Sequence, residues 1–244
     1  MKTAIKLLLF LCAGAYLVFA LVKFAHRTED VTCSGVSIIL SDTLSQGFIS
    51  ERDVEDILAK NKIFAQGESI DKLDLGLIET LLKESPYIER AKCYFSGNGN
   101  LCIKVFPQHP ILRIMSHENG NYYLDREGLT MPAGEINMNL CVATGSISKD
   151  FASKKLLPLA QFIHDDPFWK EQIVQINVTP KGEIELFPRV GEHKILLGGV
   201  EDYEKKLHKM RIFYKNGLPR VGWNRYKIIN LAFDGQIVCI RNNK

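Results

Sequence analysis

From Leu7 to Val22 the chain carries no charged residue, and Lys6 and Lys23 bracket the run. An uninterrupted apolar stretch of this length limits what the chain can become, because it must be buried in lipid, removed or packed. Counted from Ala4, it is about long enough to cross ~30 Å of hydrocarbon at ~1.5 Å per residue. Lys6 can snorkel to the interface. A lipoprotein signal is excluded by Leu11, a bulky residue directly before Cys12. Ala13-Gly14-Ala15 and Val18-Phe19-Ala20 resemble signal-peptide cleavage sites, but the run exceeds the usual ~7–15 residue apolar region. Cleavage after Ala15 would also fall inside it. The reading favoured is a single transmembrane helix over 7–25 behind a cytoplasmic tail of 1–6. Its lipid-facing residues are Leu7, Leu8, Leu9, Phe10, Leu11, Leu17, Val18, Phe19, Leu21 and Val22. Lys2 and Lys6 precede it, whereas Lys23 and Arg27 are offset by Glu29 and Asp30. The positive-inside bias therefore puts the amino terminus in the cytoplasm and the remainder outside.

About 210 residues follow, enough for a hydrophobic core without covalent staples. The net charge of +3 and the lack of a dense Lys/Arg run argue against nucleic acid. No two of the six cysteines have C-x-x-C spacing, so neither a zinc nor a thioredoxin-like site is expected.

Val36 to Leu40 reads as a strand. Ser50, with Asp53 three residues on, resembles a capping box, and Val54, Ile57 and Leu58 follow at helical spacing. Asp74 is a candidate cap for a second helix with Leu75, Ile78, Leu81 and Leu82 as its stripe, stopped by Ser85-Pro86. Ala91 to Phe95 and Leu101 to Val105 flank a Gly/Asn-rich turn and form a hairpin. A two-residue Asn98-Gly99 loop would set Cys93 opposite Lys104. A three-residue loop over 97–99 sets Phe95 against Leu101 and Cys93 against Ile103, keeping one apolar face, so it is expected. It also puts Cys93 and Cys102 on opposite faces.

Beyond Pro107 and Pro110 come a strand at 122–125 with a turn at Gly128, and a strand at 140–143. A helix over 151–164 should be disturbed by Pro158. A hairpin follows at 173–187, then a strand at 194–197. A helix covers 203–215, ended by Gly217. Asp234-Gly235 between 227–233 and 236–241 reads as a two-residue hairpin, with Leu231 opposite Val238 and Ile229 opposite Ile240.

This order, with several landmarks, resembles the FtsQ/DivIB family of bacterial cell-division proteins. Pro86-Tyr87-Ile88-Glu89-Arg90-Ala91 is similar to that family's Pro-Trp-Val-x-x-Ala segment. Val105 and Pro110 keep a Val-x-x-x-x-Pro spacing, with Pro107 where a Glu is usual. Tyr123 to Gly128 resembles its Asp-x-x-Gly turn, and Leu196-Leu197-Gly198 followed by Lys205, Lys206 and Leu207 its Leu-Gly…Lys-Leu segment. Ile229-Asn230-Leu231 with Asp234-Gly235 resembles the penultimate strand and last turn. The stretches 190–193 and 213–224 resemble the Bacteroidetes branch. The resemblance implies an α+β chain. A POTRA-like β-α-α-β-β domain over 33–109 is followed by a mixed α/β "β domain" over 110–244 with a carboxy-terminal hairpin.

No nucleophile elbow, phosphate loop or dinucleotide fingerprint is present, and no His-Glu-x-x-His. His164 beside Asp165 and Asp166, and then His193, are the most metal-like residues. Both read better as polar loop positions, and no cofactor or metal is expected. Asp125 reads as a turn residue bonding local amides.

The expectation is a non-enzymatic divisome scaffold of the inner membrane, its outer part periplasmic and septal. The resemblance implies FtsB-like and FtsL-like partners, captured by strand addition at the last strand. The partner-binding residues expected are Trp223, Tyr226, Ile229, Leu231, Phe233, Gln236, Ile237, Val238, Cys239 and Ile240, with Trp223 and Tyr226 as aromatic anchors. The competing reading is that Trp223, Ile237 and Val238 fill the core. The POTRA-like region is expected to be a second docking site. An alternative class is a secreted or anchored periplasmic hydrolase with an unfamiliar site. A third, an outer-membrane assembly component, lacks the array of ~10-residue alternating strands that builds a barrel.

Overall fold

The computed structural model describes residues 11–21, 31–41, 48–133 and 138–242. A helix, α1, covers 11–21, and Leu11, Tyr16, Leu17, Val18, Phe19 and Leu21 are all exposed. Its length is about 16 Å at ~1.5 Å per residue, roughly half of a bilayer's hydrocarbon core. Among the described residues no helix is long and apolar enough to cross a membrane. Leu7, Leu8, Leu9, Phe10 and Val22 of the expected anchor lie outside the described residues, as do the flanking charges that set its expected orientation.

The remaining described residues form two compact units, one from 31–41, 50–84 and 90–106, the other from 48–49, 85–89 and 107–242. The first runs β1 (Val36–Leu40), α2 (Glu51–Lys60), α3 (Leu75–Lys83), β2 (Ile88–Phe95), β3 (Leu101–Pro107), in the expected order. Ser50 and Asp53 form the capping box, each side chain taking the other's backbone amide, and Asp74 caps α3 through the Leu77 amide. The strands lie in the order β1-β3-β2, with β1 parallel to β3. The Ser96 amide donates to the Asn100 carbonyl at 2.9 Å, which makes the loop 97–99. Gly99, at φ +81°, supplies the left-handed residue such a loop needs. Leu101, Ile103 and Val105 are thereby turned inward and are fully buried, as are Val54 and Leu82 on the helices.

The second unit is one nine-stranded sheet. Its strands are β4 (Pro110–Ser116), β5 (Gly120–Asp125), β6 (Thr130–Pro132), β7 (Cys141–Gly145), β8 (Ile173–Val178), β9 (Ile184–Pro188), β10 (Lys194–Gly198), β11 (Tyr226–Asn230) and β12 (Val238–Arg241). Their order across the sheet is β12-β11-β10-β9-β8-β7-β4-β5-β6. Strand β4 was not foreseen. Pro110 reads as a breaker in sequence, but it occupies the first strand position, where a missing N–H costs no ladder bond.

Helices pack on one face. A helical run is made of α4 (Lys149–Phe151), a π-turn over Ala152–Leu156 and α5 (Leu157–Asp165). Pro158 sits in the first turn of α5, so its expected disturbance takes the form of a wider turn before it. Helix α6 (Pro167–Gln172) was not foreseen either. Asp166 caps it and Pro167 opens it, and it buries Trp169 completely. Helix α7 (Tyr203–Asn216) buries Leu207, Met210 and Tyr214 and ends at Gly217, before a short α8 (Leu218–Val221). The core joins these to Ile114, Ala143, Ile176, Leu186, Ile195 and Ile229.

The opposite face carries a polar ladder over four strands. Lys194 Nζ donates to Glu185 Oε1 at 2.7 Å, Asn177 Nδ2 to Glu185 Oε2 at 3.1 Å, and Gln175 Nε2 to Thr144 Oγ1 at 2.9 Å. Thr144 Oγ1 lies 3.2 Å from Asn177 Oδ1 and closes the row.

Candidate interaction site

The last strand is an edge. β12 pairs antiparallel with β11 and, among the described residues, has no neighbour on its other side. The register is Ile228↔Ile240, Ile229↔Cys239 and Asn230↔Val238, one residue from the expected pairing of Ile229 with Ile240. The two-residue Asp234-Gly235 loop does not form. The Leu231 amide donates to the Leu196 carbonyl of β10, and Asn230 Oδ1 accepts from the Ala232 amide, so the chain leaves β11 before the turn. Residues 231–237 then make a long connection. Lys209 of α7 holds it, donating from Nζ to the Phe233 carbonyl at 3.0 Å and the Gln236 carbonyl at 2.9 Å.

A one-residue slip sends every side chain of a strand to the other face. Cys239 therefore turns toward the core beside Ile229, and Ile237 packs there too. Val238 and Ile240 turn outward and are 39% and 46% exposed. Ile229 and Leu231 are fully buried. Their side chains belong to the core and offer no surface to a partner, whereas Phe233 and Gln236 are exposed on the connection.

The two expected aromatic anchors are half-buried against α7. Trp223 stacks on Tyr214 with ring centroids 5.3 Å apart, and Tyr226 lies 6.1 Å from Phe213. Tyr214 in turn meets His193, whose Nε2 lies 2.8 Å from the phenol oxygen. His193 is buried, and that burial pulls its pKa down against the opposing pull of the Trp223 carbonyl. Burial pushes the Tyr214 hydroxyl and the Cys239 thiol up, so both stay neutral near pH 7. His193, Tyr214 and Lys209 support this site and were missed as its members. Tyr214 lies on the legible stripe of α7, but nothing local links Lys209 to a loop more than twenty residues away.

The backbone of β12 has a definite polarity. The Asn242 amide donates to the carbonyl of Arg225, the residue just before β11, at 3.0 Å. Backbone groups alternate along an antiparallel strand. Val238 and Ile240 therefore bond inward to β11, and the amides and carbonyls of Cys239 and Arg241 point to the open edge. At the sheet's other end β6 is only three residues long and ends in Pro132, whose carbonyl accepts from the Tyr87 hydroxyl at 3.2 Å.

The titratable clusters have structural partners. Asp165 pairs with Arg126, which holds its carboxyl down at about 2, and Asp166 caps α6 and pairs with Arg211. Asp125 accepts the Leu129 amide at 2.7 Å around Gly128, the turn role expected. Among the described residues no group of three or more His, Cys, Asp or Glu could hold a metal ion. A cleft of about 940 Å³ beside this turn is lined by His109, Asp125, Glu127, His164 and Lys170 among others, and by no Ser, Thr or Cys among the described residues.

Two family models account for these units. One described as FtsQ/DivIB, C-terminal related, matches residues 109–240, more than half of the chain. The chain belongs to the FtsQ/DivIB family. A POTRA-like domain model matches residues 31–106. A search of curated proteins finds no match. FtsQ/DivIB proteins form a non-catalytic family of division scaffolds.

Proposed function

We propose that this FtsQ/DivIB chain is a membrane-anchored divisome scaffold that captures FtsB-like and FtsL-like partners by accepting a strand at β12. On this reading the apolar helix over 11–21 is part of a longer anchor in the inner membrane. The segment 33–109 is then a periplasmic POTRA-like domain and 110–244 the β domain, acting at the septum.

One observation carries the proposal. Among the described residues β12 is bonded on one side only, while the far edge of the same sheet is short and ends in proline. Open edges template added strands, and proteins blunt those they do not use. The incoming strand would bond to the Cys239 and Arg241 backbones, and Val238, Ile240 and Phe233 would give it apolar contact.

Cys239→Pro tests this directly. It removes an outward amide and leaves the inward bonds of Val238 and Ile240 in place. The expected result is an anchored, folded chain that no longer pulls down its FtsB-like partner. Wild-type recovery of that partner by the variant would reject strand addition.

A further inference from the structure

Within the first unit no described element packs on the sheet face turned away from α2 and α3, and its side chains, apart from the buried Cys102 at its centre, are not those of an ordinary solvated surface. The register fixed by Ser96 and Asn100 places Tyr94 opposite Cys102, Lys92 opposite Lys104 and Arg90 opposite Phe106. The guanidinium of Arg90 lies 4.1 Å from the Phe106 ring centroid, which agrees with that pairing. Since Leu101, Ile103 and Val105 face the helices, these residues face away from them, joined by Ser37 and Ile39 of β1. The one acid near it is Glu89, exposed beside Arg90 at the start of β2, where the burial pattern departs from strict alternation. Arg90, Lys92 and Lys104 have no carboxylate partner among the described residues. Like charges directly opposite one another across a strand pair are unfavourable, so an external anion between Lys92 and Lys104 would be favourable. Tyr94 and Ile39 are 47% and 41% exposed on the same face. Helices α2 and α3, on the other side, carry more acidic than basic residues.

Cations interleaved with exposed aromatic and aliphatic side chains are the composition of an interfacial surface. Nine residues, 22–30, separate α1 from the first described residue of this unit, a reach of at most ~36 Å over the connecting steps at ~3.6 Å each. The unit is therefore confined near whatever surface holds the anchor. We propose that the outer face of the β1-β3-β2 sheet docks on the phosphate headgroups of the anionic membrane in which the chain is anchored. Arg90, Lys92 and Lys104 meet phosphates, and Tyr94 and Ile39 enter the headgroup layer. This rests on the anchor reading above and adds an orientation, with the acidic helix side turned away from the bilayer.

The full chain is reconstituted into nanodiscs of phosphatidylcholine alone, or of phosphatidylcholine with phosphatidylglycerol, and pulse-acetylated. Mass spectrometry reads the labelling of Lys92 and Lys104, with Lys60 on α2 as reference. The expected result is several-fold slower labelling of Lys92 and Lys104 in the anionic discs, reversed by high salt, with Lys60 unchanged. Arg90→Gln should weaken that protection, since each basic residue contributes about fivefold to partition onto an anionic surface. Equal labelling in both discs, with the chain inserted, overturns the docking and leaves the anchor standing. Loss of the chain from both discs overturns the anchor, and the docking with it. Protection found in native membranes but in neither disc assigns the face to an acidic protein partner and overturns lipid docking.

Discussion

The register of the last two strands makes a sharp energetic prediction. Ile229 is fully buried, whereas Ile240 is 46% exposed on the opposite face. Replacing either with alanine removes three carbons, worth about 2.4 kcal/mol if fully buried at ~0.8 kcal/mol each. At Ile229 a cavity term is added, so the expected cost is about 3 kcal/mol. At Ile240 only about half of that transfer is lost and water fills the space, so the cost is about 1 kcal/mol. Both tryptophans, Trp169 and Trp223, lie in this unit, so urea unfolding followed by their fluorescence reports on it alone. The gap between the two variants should be about 2 kcal/mol, read from midpoints at constant slope. In the register set by a two-residue Asp-Gly turn, both side chains would share the core face. Equal destabilisation by Ile229→Ala and Ile240→Ala would therefore refute the observed pairing.

The buried His193 should make the unit acid-sensitive. Its folded pKa is depressed, so its contribution is fully present above the unfolded value of ~6.5 and is lost as pH falls through the folded value. Tyr214→Phe, which strands the imidazole nitrogen, should cost about 1–3 kcal/mol at pH 7 in the same urea assay. A cost near zero would mean that the His193–Tyr214 contact is idle. Lys209→Met releases the Phe233 and Gln236 carbonyls and should speed amide exchange across 237–240. Unchanged exchange there would remove Lys209 from the account of the edge.

Where one local signal was enough, the sequence was readable. The Ser50/Asp53 box, the Asp74 cap and the parity of the 91–105 hairpin each depend on neighbours within a few residues, and each took the expected form. The carboxy-terminal ribbon misled because its turn is decided elsewhere. Asp234-Gly235 is a good hairpin dipeptide, but bonds from Leu231 to β10 and from Lys209 on α7 set the path of the chain. Both flanking strands are apolar on both faces, so the residue pattern penalised neither register. The short α6 was hidden between two longer elements, although Asp166-Pro167 is a cap and first-turn pair. For the interaction site, the open edge and Trp223 could be proposed from sequence. The division of 229–240 into buried and outward-facing members required the register.

The blunted strand at Pro132 has a consequence for crowding at high local concentration. A sheet open at both ends can accept copies of itself head to tail and grow without limit. Here the far rim offers only three residues and lacks the Pro132 amide, so docking of a copy's final strand there is disfavoured. Self-association through these strands would favour a symmetric pair over an open chain.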